Sequence, residues 1–150
     1  MASVRSASHA GTWYTNSATE LSSQLSCWLD AAPFGSHPAR AIIVPHAGYR
    51  YSGSCAAYGF KQIDSESTKR LFILGPSHHV DIGPRCALSP ATVCKTPLYD
   101  LAIDTAVYDE LKGSGEFSQL SLEQDEDEHS IEMQLPFIAK VMERLVSYMW

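Results

Sequence analysis

Two short apolar runs that each end beside a histidine constrain the fold of this chain more than any other feature. Residues 41–45 run directly into His46, and residues 71–74 lead through Gly75 and Pro76 to His78 and His79. Each run is short, partly β-branched and closed by Pro or Gly, which is typical of a fully buried parallel strand that ends at a turn.

The segment between these runs indicates how they are arranged. Residues 52–70 are enough for a helical crossover and too many for a hairpin, so we expect the two strands to lie parallel in one sheet. Ligands bind beyond the carboxyl ends of strands in open α/β sheets. We therefore expect His46 to face His78 or His79 across a site.

Composition bounds the class of protein. The chain has 150 residues and a net charge of -6, and its acidic residues cluster at 123–128 while basic residues are scattered. This argues against a nucleic-acid partner, and no apolar stretch is long enough for membrane insertion. We expect a single domain over residues 1–150.

The cysteines and the amino terminus predict the compartment. The four cysteines form no C-x-x-C pair, and the first residues lack the apolar core of a secretory signal. We expect reduced thiols and a cytoplasmic protein, with the nucleus as a further location.

The remaining elements complete an α/β pattern. Ser17 and Glu20 match a capping box before an amphipathic helix to about Asp30, and Asp104 and Gly113 match the start and stop of another. We also expect a crossover helix over 54–60 with Cys55 in the core. Weak strands are expected over 85–89 and 91–95, and a loop or short strand over 117–122. The last helix should have an apolar stripe over 131–145, and Pro136 either kinks this helix or lies in its first turns. The fold class is thus α/β, with a mostly parallel or mixed sheet flanked by helices.

An acidic cluster could contribute chemistry to the site. Glu128 and His129 could supply a third metal ligand or a proton shuttle, and they are our catalytic candidates. A solvated acidic helix start is the plainer interpretation, and the sequence alone favours it. Two histidines with a carboxylate would suit ferrous iron, whereas two histidines with a thiolate would suit copper or zinc.

Aromatic residues flank the predicted site. His9 and Trp13 precede the first helix and form either a lid over the site or part of the core. Arg50 and Tyr51 follow His46 closely and could supply a cation and an aromatic wall for an anionic partner, such as a phosphorylated peptide.

Five sequence motifs, taken together, resemble those of a known family. They are S-H-A-G-T-W-Y (8–14), R-A-I-I-V-P-H-A-G-Y-R-Y-S-G-S-C-A-A (40–57), F-I-L-G-P-S-H-H-V (72–80), T-P-L-Y-D-L (96–101) and D-E-D-E-H-S-I-E-M-Q-L-P-F (125–137). Together they resemble the Memo family, mediators of cell motility driven by ErbB-type receptor tyrosine kinases. Such long strings in order are far more specific than a short pattern.

The resemblance implies a fold similar to that of class III non-haem iron dioxygenases. It also implies a pocket in which His46 and His78 bind copper or iron. Through the same pocket the family is discussed as binding phosphotyrosine peptides, with Trp13 and Tyr51 matching its lining. The expected partners are a phosphorylated receptor tyrosine kinase peptide or a signalling adaptor.

The chain departs from the family in length. Family members continue into further strands that carry a cysteine ligand, so we expect a C-terminally truncated member, the N-terminal portion of a Memo-like domain. No cysteine here occupies that ligand position, and we expect the third ligand to be missing. An incomplete sheet is also expected to expose apolar edges.

Three functions follow from these observations. The first is a pseudo-enzyme that links receptor tyrosine kinases to the cytoskeleton and cell motility, with a vestigial dioxygenase-type pocket for copper, iron or a phosphotyrosine peptide. The second is an active metal-dependent oxygenase or redox enzyme that uses two histidines and an acid from residues 126–129. The third is a non-functional truncated product.

Overall fold

The structure is a computed structural model that describes residues 3–142, and in this range short strands and helices form an α/β fold. The strands are β1 (Val4–Arg5), β2 (Cys86–Leu88), β3 (Val93–Cys94), β4 (Leu101–Ala102) and β5 (Phe117–Gln119). The helices are α1 (Ala18–Ala31), α2 (Tyr49–Phe60), α3 (Thr105–Gly113), α4 (Leu122–Asp127), α5 (His129–Glu132) and α6 (Leu135–Val141). No helix in residues 3–142 is sufficiently long and apolar to span a bilayer.

The strands form two small sheets. One has the order β1-β3-β4, in which β1 pairs parallel and β4 pairs antiparallel with β3. The other pairs β2 parallel with β5. The predicted α/β class with a mixed sheet is confirmed.

Helices α1, α2 and α6 enclose the core. Leu21, Leu25 and Leu29 recur every four residues of α1 and are buried, because that spacing places them on one face of the helix. The ring of Phe137 in α6 stacks on Phe60 of α2 at a centroid distance of 4.8 Å. The helices α1, α2 and α6 therefore form a packed layer beneath the segments that carry the predicted site histidines.

Small residues let α2 approach its neighbours closely. A Cβ at Gly53 would overlap the ring of Trp28 on α1, and one at Gly59 would overlap Val44. The helix begins at Tyr49, earlier than expected. The expectation that Cys55 lies in the core is wrong, since this residue is exposed.

The two apolar runs differ from their prediction. Residues 41–46 and 71–76 are not assigned to any strand, and they alternate between packed and exposed side chains. Ile42, Val44, Leu71 and Ile73 pack against the core. The expectation of a fully buried, paired strand is therefore wrong for both runs, because the described part of the chain covers only one face of each.

The expected last helix is interrupted. The region from 122 to 142 contains α4, α5 and α6, and Pro136 lies in the first turn of α6, the position at which its missing N–H costs nothing. Residues 143–145 of the predicted helix lie outside the described residues. Elsewhere both predicted N-caps are present, since Ser17 accepts from the backbone N–H of Glu20 and Asp104 from that of Val107. The capping box expected at Ser17 is only half formed, because the Ser17 N–H donates to Thr15 Oγ1 and not to Glu20.

A buried ion pair joins the first strand to α5. The guanidinium of Arg5 donates to Glu132 Oε2 at 2.8 Å, and both side chains are almost fully buried. Arg5 also donates to the backbone oxygens of Asp125 and Glu128, each at 2.9 Å. One cation thus holds α4, α5 and the amino-terminal strand together.

Replacing Glu132 should test this junction. Glu132→Gln leaves the buried Arg5 with only the more distant Asp125 carboxylate, whose Oδ1 lies 3.6 Å from Nε, as a counter-charge. Breaking a buried pair in this way costs on the order of 3–5 kcal/mol. We expect a loss of that size in the free energy of unfolding by urea titration. Burial raises the pKa of the Glu132 carboxyl, but hydrogen bonds from His9 and the charge of Arg5 lower it overall from its ordinary value of 4.5. The loss should therefore be full at neutral pH and shrink as the pH falls through the folded-state pKa.

The matched control is the exposed pair of Arg70 and Asp104. Asp104→Asn removes a charge but keeps a good helix cap, so we expect a much smaller effect. Equal losses for the two variants would show that the buried pair has no special role.

Candidate metal centre

Three histidines from separate parts of the chain converge at one place. His46 follows the first extended segment, His78 follows the second, and His129 begins α5. One ring nitrogen from each lies within 4.8 Å of the others. The prediction that the two histidine-bearing ends meet is confirmed, although no sheet ladder among the described residues joins the segments.

The turn before α2 positions His46. Gly48 caps α2, and a Cβ at this glycine would lie 3.3 Å from the backbone oxygen of Trp13. The N–H of Tyr49 donates to the same oxygen at 3.0 Å. The segment that contains Trp13 therefore closes against the turn that carries His46.

A single carboxylate positions His78. Glu128 Oε2 accepts from the backbone N–H of His78 at 2.6 Å, and Oε1 lies 2.9 Å from its ring Nδ1. An ionised carboxylate only accepts hydrogen bonds, so Nδ1 must carry a proton and Nε2 is left free for a ligand. Histidines that bind metals are commonly held by a carboxylate in this way.

The hydrogen bonds keep Glu128 ionised. Burial raises the pKa of its carboxyl, but the backbone N–H groups of His78 and Ser130 and the ring of His78 outweigh this effect and lower the pKa to about 2. Glu128 also ends α4 and caps α5 through the Ser130 N–H at 2.8 Å. The interpretation of this cluster as a solvated acidic helix start is wrong for Glu128, which is buried.

His129 lies in a stack of rings. Its centroid is 4.3 Å from that of His78, with nearly parallel planes, and 4.4 Å from that of Trp13. The pKa of His129 is lowered from its ordinary value of 6.5, mainly by partial burial of the ring and secondly by the nearby charge of His78. The neutral imidazole is the form that binds a metal. His129 therefore lies where it could supply a third ligand, one of the two roles that the sequence suggested for it, in place of the cysteine that the family resemblance implies.

Sequence reasoning left His9 as either a lid over the site or part of the core, and it gave Glu132 no role in the site. His9 Nδ1 lies 3.0 Å from Glu132 Oε2, and the His9 ring centroid is 6.1 Å from that of His129. Glu128 and Glu132 thus hold His78 and His9 in the same way. The sequence feature that could have indicated this role is the spacing of four residues between Glu128 and Glu132, which places the two carboxylates one helical turn apart.

The other predicted site residues have different positions. Of His78 and His79, only His78 belongs to the cluster of three. Tyr51 is 76% exposed and, within residues 3–142, makes no ring contact with the histidines. Arg50 lines an open groove of about 410 Å³ beside α2, and Trp13, which also packs against His129, lines the same groove.

The comparisons with known proteins agree with the motifs. The family model described as "Memo-like protein" matches residues 5–146. The chain is 60% identical over 139 residues to "Protein MEMO1" of Danio rerio and 58% identical to that of Homo sapiens. It is 51% identical over the same length to "Protein memo-1 homolog" of Caenorhabditis elegans.

The alignments cover most of this chain but less than half of its relatives. They span 93% of the chain, 46% of the zebrafish and human proteins and 39% of the nematode protein. Since the family model spans nearly the whole chain, the chain belongs to the Memo family.

Proposed function

We propose that this chain is a Memo-family signalling protein whose His46, His78 and His129 bind one copper or iron ion. The observation that carries the proposal is the convergence of the three imidazoles, with ligand atoms within 4.8 Å of one another. Imidazole nitrogen suits both copper and iron, so the donor set fits the ions that the family resemblance implies.

The surrounding residues support this use of the histidines. The Glu128 carboxylate accepts from Nδ1 of the His78 ring, and the Trp13 ring packs against the His129 ring at a centroid distance of 4.4 Å. Such contacts fix ring orientation before an ion arrives and reduce the entropy lost on binding. A bound copper or iron ion would supply one-electron redox chemistry at this place.

The biological role is the broader part of the proposal. We infer a cytoplasmic protein that links receptor tyrosine kinases to the cytoskeleton and cell motility, as the family resemblance implies. Three protein ligands would leave open positions on the ion, so an active metal-dependent oxygenase is the alternative. Turnover of a catechol with uptake of dioxygen would favour that alternative.

The groove that contains Trp13 and Arg50 supports a second candidate function, the binding of a phosphotyrosine peptide. Arginine recognises phosphate through paired hydrogen bonds, and an aromatic wall suits the phenyl ring. In fluorescence anisotropy we expect a phosphorylated peptide to bind more tightly than its unphosphorylated form, and Arg50→Ala to remove the difference. Arg40→Ala is the control for an exposed arginine elsewhere, and an equal loss in both variants would contradict the assignment.

Removing any one of the three histidines should weaken metal binding. In anaerobic titrations with cuprous and ferrous ions we expect one ion per chain. His46→Ala, His78→Ala and His129→Ala should each cost more than the roughly 10–100-fold that loss of an outer-shell partner costs. His37→Ala, at an exposed residue of another loop, should change nothing. Retained affinity in the His129 variant would exclude it as the third ligand.

Glu128→Gln should separate the positioning of His78 from the ligands themselves. The amide keeps one acceptor but presents an NH2 group to a donor, so the preference for a proton on His78 Nδ1 should fall. We expect a roughly 10–100-fold loss of metal affinity and a mixed tautomer of His78 in long-range ¹H–¹⁵N spectra. Asp127→Asn, at the exposed neighbouring position, is the charge-matched control. An unchanged tautomer would refute the positioning role.

A further inference from the structure

A fourth imidazole lies beside the three histidines of the candidate metal centre. The backbone N–H of His9 donates to Glu132 Oε1 at 2.9 Å, and the His9 ring Nδ1 lies 3.0 Å from Oε2 of the same carboxylate. Glu128 makes the same pair of contacts with His78. His9 is therefore oriented as a metal-binding histidine is, although it does not belong to the cluster of three.

The burial of Glu132 does not by itself require the His9 ring. Arg5 donates to Oε2, and Tyr14 and the backbone N–H of His9 donate to Oε1. These three donors already satisfy both oxygens of the buried carboxylate. The ring contact adds orientation, because it fixes which nitrogen of His9 carries the proton.

The contact with Glu132 leaves the other nitrogen of His9 free to accept a hydrogen bond. The ionised Glu132 carboxylate only accepts hydrogen bonds, so Nδ1 of the neutral His9 ring carries the proton. The nearby Ser8 hydroxyl donates elsewhere, to the backbone oxygen of Glu126 at 2.5 Å. Within residues 3–142, Nε2 of His9 makes no hydrogen bond and is not buried, so a ligand can reach it.

Neighbouring rings place this nitrogen at the edge of the metal centre. The Trp13 ring lies nearly perpendicular to that of His9, with centroids 5.5 Å apart. The His129 ring centroid is 6.1 Å from that of His9. The His9 side chain is 15% exposed. His9 therefore adjoins a proposed metal ligand and still has access to solvent.

We propose that His9 Nε2 accepts a hydrogen bond from a small ligand bound to the ion, so that the site selects ligands with an N–H or O–H donor near the atom that binds the ion. The proposal rests on the proposed function, since it needs an ion at the cluster of three. Three protein ligands leave a position open on the ion for such a molecule. His9 is thus a specificity-determining residue and not a fourth metal ligand.

Two probes of equal size test the proposal. Both 4-methylimidazole and 1-methylimidazole bind a metal ion through one nitrogen, but only 4-methylimidazole keeps an N–H on the other. Each is titrated by calorimetry into the chain loaded anaerobically with one cuprous ion, at about pH 8, where imidazoles are neutral. We expect roughly tenfold tighter binding of 4-methylimidazole, the size of effect that one hydrogen bond gives. The His9 Nε2 resonance in ¹H–¹⁵N spectra should shift with 4-methylimidazole and not with 1-methylimidazole.

His9→Phe is the decisive variant, because it keeps an aromatic ring and the backbone N–H but removes both ring nitrogens. It should abolish the preference for 4-methylimidazole. His79→Phe is the matched control, since this exposed ring has its centroid 6.3 Å from that of His129 and its loss should leave the preference unchanged.

The possible results lead to different conclusions. Equal binding of the two probes to the cuprous-loaded chain, or an equal loss of preference in both variants, would overturn the role of His9 and leave the metal centre standing. Loss of copper binding in a folded His9→Phe chain would also overturn it, since His9 would then be a ligand itself. If His9→Phe does not fold, the Nε2 shift in the unaltered chain decides. A chain that binds no cuprous ion would refute the proposed function and this proposal together.

Discussion

The buried carboxylate of Glu132 is the contact on which most of the described structure depends. It accepts hydrogen bonds from Arg5, His9 and Tyr14, each of which comes from the amino-terminal part of the chain. Taking a carboxylate out of water is expensive, and here a cation and several N–H and O–H donors offset that cost. The first strand, the segment before α1 and the helix that carries His129 are therefore positioned by one group.

The histidine cluster does not depend on a sheet for its geometry. In a complete parallel sheet, ladder hydrogen bonds would set the ends of neighbouring strands. Here Glu128 holds the ring and backbone of His78, and the contact of Gly48 with Trp13 holds the turn after His46. Side-chain hydrogen bonds and a close backbone contact thus fix the positions of the histidines, which strand pairing would fix in a complete sheet.

This arrangement explains which parts of the site the sequence could predict. His46 and His78 were predictable because a histidine after an apolar run, beside Gly or Pro, marks the place where the chain turns at an edge. The helices with clear caps, α1 and α3, were predictable for a similarly local reason. The role of Glu128 was not predictable, because an acidic residue among other acidic residues resembles a solvated helix start. Its burial depends on a contact with Arg5, which lies 123 residues earlier in the chain. An incomplete sheet was expected to expose apolar edges, but the sequence did not indicate that residues 41–46 and 71–75 would be the exposed ones, because an apolar run gives no information about how many layers cover it.

The break between α4 and α5 has a consequence for how this stretch can vary among relatives. Glu128 ends one helix and caps the next, and Glu132 follows one turn later, so two carboxylates aimed at two histidines depend on a fixed count of residues. A helix rotates about 100° per residue, and one inserted or deleted residue between them would turn one carboxylate away from its histidine. Differences in chain length should therefore accumulate in exposed loops such as residues 81–85 and be absent from residues 128–132.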